Sequence, residues 1–347
     1  MTDSGTEFAM NILPRKDQFS GCLIGQCLGD ATGYVVEGFS PEACKRYVED
    51  FLKTERAGEF GHWPFPYGQY SDDSQLAREL LLSYVNCKKF DPRDYAERIK
   101  TVFAERKVVG YGDATWDAAV RLVNGTPWEE AGTLSPSAGN GSAMRAAPIG
   151  LFFFDNNELL IQGAHDQGRI THRDPRCSAG AVVIGGAVSL VLQGQPINPD
   201  SFISTLSDWS GIIEPAFASE LQKLRGWISM PPEEAVTFIS KAGINADYPF
   251  EDEWKGITPF VIGSVLWSLY SFLRTPGDYW ETICTAIMAG GDTDTTAAMA
   301  GAISGAYLGL DLIPSHLSSR LTDQEKWGFD ELVKLAYQCY EIKMQNI

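Results

Sequence analysis

Basic side chains are in short supply. Against 45 aspartates and glutamates stand 28 lysines and arginines, a formal net charge of −17. That balance argues against sequence-independent binding to nucleic acid, which depends on neutralising phosphates. It suits a soluble protein, or one that meets a basic partner. Histidine is scarce at four residues, and the seven cysteines are odd in number, scattered, and free of any CxxC pair. Neither a zinc ribbon nor a disulfide framework is supported, so a reducing compartment and a cytoplasmic location are expected. The first residues lack the basic, apolar and small-residue pattern of a signal peptide. No apolar run is expected to reach the roughly 18 residues of a membrane span. Walker loop, GxSxG and GxGxxG are all missing, which leaves acyl transfer and dinucleotide binding without local support.

Alternating strand patterns are missing as well. Apolar residues instead recur at three- and four-residue spacing, as in Phe19, Cys22, Leu23 and Cys27, which predicts helix. Gly21, Gly25 and Gly29 interrupt that stretch. Glycine costs helix stability, so this spacing predicts close approach of a second helix. Further helices are predicted over 41–53, 75–87, 91–107, 113–124, 174–193, 213–228, 231–241, 256–274, 278–289, 294–308 and 322–344. The 174–193 segment is apolar nearly all round and is expected to be a central buried helix. Residues 57–70, with glycine, proline and five aromatics, read as a loop. Residues 149–154 could pass for a strand. The joins 133–141 and 245–252 are expected to be the most exposed. With no low-complexity linker, the fold class is all-α, one compact domain over 17–347 behind a flexible extension at 1–16.

Two short acidic stretches carry the chemistry. The first is Gly290-Gly291-Asp292-Thr293-Asp294-Thr295-Thr296, followed by a run of small apolar residues. The second is Tyr70-Ser71-Asp72-Asp73-Ser74. Each sets hydroxyls beside paired carboxylates at a helix start, and the plainer reading of either alone is an N-cap. Four carboxylates brought together repel one another unless protonated or bridged by cations. Facing each other, the two stretches predict a two-metal site of oxygen ligands, for Mg or Mn rather than zinc. An EF-hand starting at Asp292 would need Gly and Glu where Ala297 and Ile303 stand. The DxDxT match to haloacid-dehalogenase-like phosphotransferases lacks the expected preceding strand. Gly139-Asn140-Gly141-Ser142-Ala143-Met144-Arg145 offers unusual dihedrals and exposed amides suited to a phosphate or sugar, or simply a tight turn. His172 precedes the buried helix, and Glu37 ends an apolar one.

These pieces, in this order, resemble the ADP-ribosylglycohydrolase family, which includes the dinitrogenase reductase-activating glycohydrolases. The resemblance runs from about Phe19 to about Leu310. It rests on Gly29-Asp30-Ala31-Thr32-Gly33-Tyr34-Val35-Val36-Glu37, the Tyr70–Ser74 and Gly139–Arg145 stretches, Thr171-His172-Arg173, and Gly290–Thr295. It implies an all-α fold and two Mg2+ or Mn2+ ions held by Ser71, Asp72, Asp73, Asp292, Asp294 and Thr295. Serine stands at 71 and 74 where the family often has threonine, with the same hydroxyl. The resemblance implies substrate contacts at Gly112, Asn140, Gly141, Ser142, Met144 and His172, with Asp30 supporting the ligands. A water activated at the cations would attack the anomeric carbon, Glu37 or Asp73 taking its proton. The expected activity is release of ADP-ribose from ADP-ribosylated protein side chains, arginine-linked in the first instance. Competing functions are an immunity or binding protein docking on an ADP-ribosylating toxin, and a metal-dependent phosphohydrolase. The asparates are expected to cap the 294–308 helix and form the site at once.

Overall fold

The glycines of the first helix set the architecture. In the computed structural model, which describes residues 13–194, 196–244 and 254–347, helix Lys16–Gly33 packs antiparallel along helix Thr293–Leu308. Gly21, Gly25, Gly29 and Gly33 face Gly305, Gly301, Ala297 and Thr293 in turn. A Cβ on these glycines would stand 2.3, 2.4, 2.1 and 2.3 Å from the facing carbonyl oxygens. Only hydrogen fits there, so the two backbones touch without intervening side chains. The expected close approach is thus observed, and the glycine stripe continues to Gly33. Because the pair is antiparallel, the end of the first helix meets the start of the other. Every residue of helix Thr293–Leu308 up to Ala306 is buried.

Other helices wrap this pair. Asp72–Cys87, Pro175–Leu192 and Tyr279–Met288 lie close to their predicted spans, while Val261–Arg274 starts later than the predicted 256–274. The described residues form no strand, only isolated bridges such as Gln69 with Thr322. Residues 149–154 belong to helix Ala147–Phe153 rather than a strand. Two long helices escaped the periodicity reading, Asn157–Arg169 and Pro199–Gly211, as did the single-turn helices Trp128–Ala131 and Ser315–Ser318. The starts of the two long ones are marked by caps, with Asn156 Oδ1 accepting from Leu159 N at 3.0 Å and Asn198 Oδ1 from Ser201 N at 3.1 Å. The last helix begins at Phe329, not 322, because Gln324, Glu325 and Trp327 take positive φ.

Helix Pro175–Leu192 corrects one expectation. It is long and apolar enough to cross a membrane, yet most of it is buried in the protein core, as its all-round apolar surface predicts. In the 133–141 join, Leu134, Ser135 and Pro136 are exposed while Ala138, Asn140 and Gly141 are buried. The 245–252 join lies outside the described residues, as do residues 1–12 of the expected extension. Pro14 is buried and Lys16 is already helical.

Candidate metal centre and ligand cavity

Six carboxylates converge where the two glycine-packed helices meet the start of helix Asp72–Cys87. Asp30 lies one turn before the end of the first helix and is fully buried. Its two oxygens accept from Ser71 N at 2.9 Å and Ser74 N at 3.0 Å. Asp30 thereby satisfies free amides at the start of the Asp72–Cys87 helix and places Asp72 and Asp73 at the centre. Ser71 Oγ donates to Asp73 Oδ2 at 2.8 Å. Glu37 arrives after the tight turn Tyr34–Val36. There the strand-like link Gly38 N to Gly291 O (2.8 Å) and Gly291 N to Phe39 O (3.0 Å) ties it beside Asp292. Gly290 and Gly291 both take positive φ, and a Cβ on Gly291 would stand 2.0 Å from Ile257 O. No other residue fits this corner, which delivers Asp292 and Asp294 to the cluster.

Asp292 stands at the N-cap position, but its side chain makes no cap hydrogen bond. Its Oδ2 accepts instead from Asn140 Nδ2 at 2.5 Å, and Asn140 also bonds Ser264 Oγ at 3.2 Å. The expected union of cap and site therefore fails for Asp292. Its neighbour Asp294 accepts locally from Thr295 N at 2.8 Å.

Ligand-grade oxygens of Asp30, Asp73 and Asp294 lie within 4.8 Å of one another, and so do those of Glu37, Asp292 and Asp294. Asp294 belongs to both trios. Burial pushes the whole set toward protonation. Asp30 rises to about 6, held back by its bonds to Ser74 and Ser71. Glu37 rises to about 8 through burial and then the charges of Asp292 and Asp30. Asp72, Asp73 and Asp294 rise well above the ordinary range, by burial first and neighbouring carboxylates second. Asp292 rises less freely because Asn140 stabilises its charge. Asp73 Oδ1 is buried with no hydrogen-bond partner. An orphaned carboxylate oxygen among like charges fits a hard divalent cation, and the donor set is entirely oxygen.

Above the acids opens a cavity of about 670 Å³. Glu37, Asp72, Asp73, Asp292, Asp294 and Thr295 line it at one end, and Gly112, Asn140, Gly141, Met144 and His172 line its walls. Two of the expected site residues turn elsewhere. Ser142 is fully buried and donates its hydroxyl to Cys177 O at 2.9 Å, so its side chain serves the packing of the loop. Ser71 aims its hydroxyl at Asp73. Asn140 lines the wall, but its amide is committed to Asp292 and Ser264. Gly110, Tyr111, Thr115 and Trp254 also line the cavity and were not singled out from sequence. Gly110, at φ +79, had a turn signal beside Gly112; Thr115 had none.

Residues 12–346 match the family model described as ADP-ribosylglycohydrolase. The chain belongs to the ADP-ribosylglycohydrolase family. The resemblance read between Phe19 and Leu310 therefore extends over nearly the whole chain. Among curated relatives, an "ADP-ribosylhydrolase ARH3" of Xenopus tropicalis is 30% identical over 353 residues, covering 95% of this chain and 97% of that protein. An "ADP-ribosylarginine hydrolase Tri1" of Serratia proteamaculans is 24% identical over 318 residues, covering 89% and 76%. The solved structure titled "ADP-ribosylglycohydrolase-related protein complex" superposes with a TM-score of 0.69 at 25% identity, covering 95% of this chain and 99% of that one. The all-α architecture is thus shared with a family structure.

Proposed function

We propose that this protein is a divalent-cation-dependent hydrolase that releases ADP-ribose from ADP-ribosylated protein. The observation that carries this reading is the pair of carboxylate trios sharing Asp294 at one end of a cavity large enough for a nucleotide-sized ligand. Asp30, Asp72, Asp73, Asp292 and Asp294 would hold two Mg2+ or Mn2+ ions, with Thr295 and Glu37 at the cavity side. Cations there supply positive charge that orients ribose hydroxyls and lowers the pKa of a water. Glu37 lines the cavity and is the least enclosed of the acids, being only partly buried. It is placed to accept the proton of the attacking water, with Asp73 the alternative base. The glycines at 110, 112, 139 and 141 leave the walls open to a diphosphate. The Asn140 hydrogen bond favours the charged form of Asp292 against the opposing effect of burial.

The family membership supports the ADP-ribose reading. For the linkage, relatives named ADP-ribosylhydrolase ARH3 reach 30% identity, whereas the one named for arginine reaches 24%. The name ARH3 states no linkage, so serine-linked ADP-ribose belongs in the assay beside the arginine linkage expected from sequence. ADP-ribose release from arginine-linked and serine-linked protein should require Mg2+ or Mn2+ and stop with chelator. Undiminished release in chelator would sink the proposal, as would inorganic phosphate as the product.

A further inference from the structure

Arg145 is fully buried beside the cavity; neutral oxygens receive its Nε and Nη2 hydrogens, while Nη1 has no hydrogen-bond partner. Nε donates to Gln167 Oε1 at 3.0 Å, and Nη2 donates to the Gln167 carbonyl at 2.9 Å and to Thr171 Oγ1 at 2.8 Å. A cation buried against neutral acceptors is costly, and the acid cluster does not use it as a hydrogen-bonding partner. Its consequence is found one residue further along. Thr171 Oγ1 lies 2.8 Å from His172 Nδ1, with both residues buried.

The hydrogen-bonding inventory decides how this chain is polarised. A guanidinium has donors only, so Thr171 Oγ1 accepts from Arg145 and its own hydrogen is free to point at Nδ1. Nδ1 must then be the bare nitrogen, and the single proton of a neutral imidazole sits on Nε2. In the opposite tautomer Nδ1–H would donate to Oγ1, and the buried threonine hydrogen would lose its acceptor, at a cost of about 1–3 kcal/mol. The Nε2 edge is the one turned to the cavity. His172 lines it, and Nε2 lies 3.4 and 3.2 Å from where a Cβ on Gly139 or Gly141 would stand.

We propose that Arg145 is a positioning residue which, through Thr171, fixes His172 as the Nε2–H tautomer and presents one neutral donor to an acceptor oxygen of the bound ligand. The inference rests on the ADP-ribose reading only in naming that acceptor, a diphosphate or ribose oxygen. Burial first, and Arg145 second, against the weaker opposing pull of Asp174, push the His172 pKa down to about 3. The donor is accordingly the same throughout the neutral range, and His172 serves binding rather than proton transfer.

Long-range proton–nitrogen correlation spectra of the intact labelled protein test this directly, because only four histidines need assignment and His172→Gln removes the relevant signals. The expected pattern for His172 is a protonated Nε2 and a bare Nδ1. Thr171→Val should mix or reverse the pattern and weaken ADP-ribose binding about 10-fold, while Thr171→Ser restores both. Arg145→Met should act in the same direction; should it not fold, the threonine pair decides. A protonated Nδ1 in the wild type, or an unchanged pattern in Thr171→Val, would overturn the proposal. An intact wild-type pattern in a protein that does not bind ADP-ribose would support the tautomer assignment and refute the functional reading instead.

Discussion

A methyl group on Gly29 would stand 2.1 Å from the carbonyl oxygen of Ala297. This contact between two backbones brings Asp30 of one helix toward Asp294 of the other, and it makes the carboxylate cluster a product of helix packing. The atoms in the way are backbone, which cannot swing aside. Gly29→Ala should therefore destabilise the fold by about 3 kcal/mol, the upper range for overpacking. The added stability that Mg2+ confers in a thermal melt should shrink in parallel. A variant with unchanged Tm would show that the two helices can part at little cost.

Asn140 reaches Asp292 across 152 residues of sequence with a 2.5 Å hydrogen bond. A partner of this kind orients a ligand and keeps it charged, and losing one typically costs 10- to 100-fold in metal affinity, by about that range here. Asn140→Ala should weaken Mn2+ binding accordingly in calorimetry. Asn140→Asp should weaken it for a different reason, having no N–H to give while adding another carboxylate.

Asp294 is shared by both carboxylate trios, so its loss dismantles both. Asp294→Asn should reduce ADP-ribose release by at least about 100-fold. Without cations its effect on stability should have the opposite sign. The substitution removes a buried acid surrounded by Glu37, Asp73 and Asp292, which relieves repulsion. Melting in chelator should occur at the same or a higher temperature than wild type, and at a lower one in Mg2+. Equal Mg2+-induced stabilisation of the two proteins would remove Asp294 from the centre.

The raised acids give the cation-free protein a definite pH response. Glu37 in the folded state titrates near 8 and Asp30 near 6, against about 4 in an unfolded chain. Between those values the folded protein holds more protons, so its stability falls as pH rises. His172, near 3 when folded and about 6.5 when unfolded, acts in the opposite sense but only below about pH 6.5. The clean window is therefore pH 6.5 to 8. In chelator Tm should decline across it, through Glu37 together with the other raised acids Asp72, Asp73 and Asp294, and saturating Mg2+ should flatten the decline because bound cations replace the protons. A Tm that climbs across this window in chelator would contradict the placement of Glu37 among the acids.

Much of this was legible along the chain because it depends on local pattern. The 3.6-residue recurrence located most helices, and the all-round apolar surface of Pro175–Leu192 marked it as central. The glycines at 21, 25 and 29 announced a close helix contact without naming the partner. The hidden helices Asn157–Arg169 and Pro199–Gly211 show the limit of periodicity, since small buried residues such as Gly163, Ala164 and Gly168 weaken the apolar signal that a core face usually carries.

The acidic stretches at 72–73 and 292–294 were visible as chemistry, and the resemblance placed them in one centre. Their directions were not visible. Asp292 occupies a cap position yet turns to Asn140, Ser142 turns to Cys177 and away from the cavity, and Arg145 reaches His172 only by way of Thr171. Residue type and spacing determined that oxygen-rich, cation-seeking groups and a helix-packing stripe exist in this protein. Which oxygen faces which was decided by packing between segments far apart in the chain, as in Thr293 Oγ1 donating to Gly33 O at 2.8 Å across 260 residues. A side chain's direction is set by the backbones that close around it, and those are assembled only in the folded molecule.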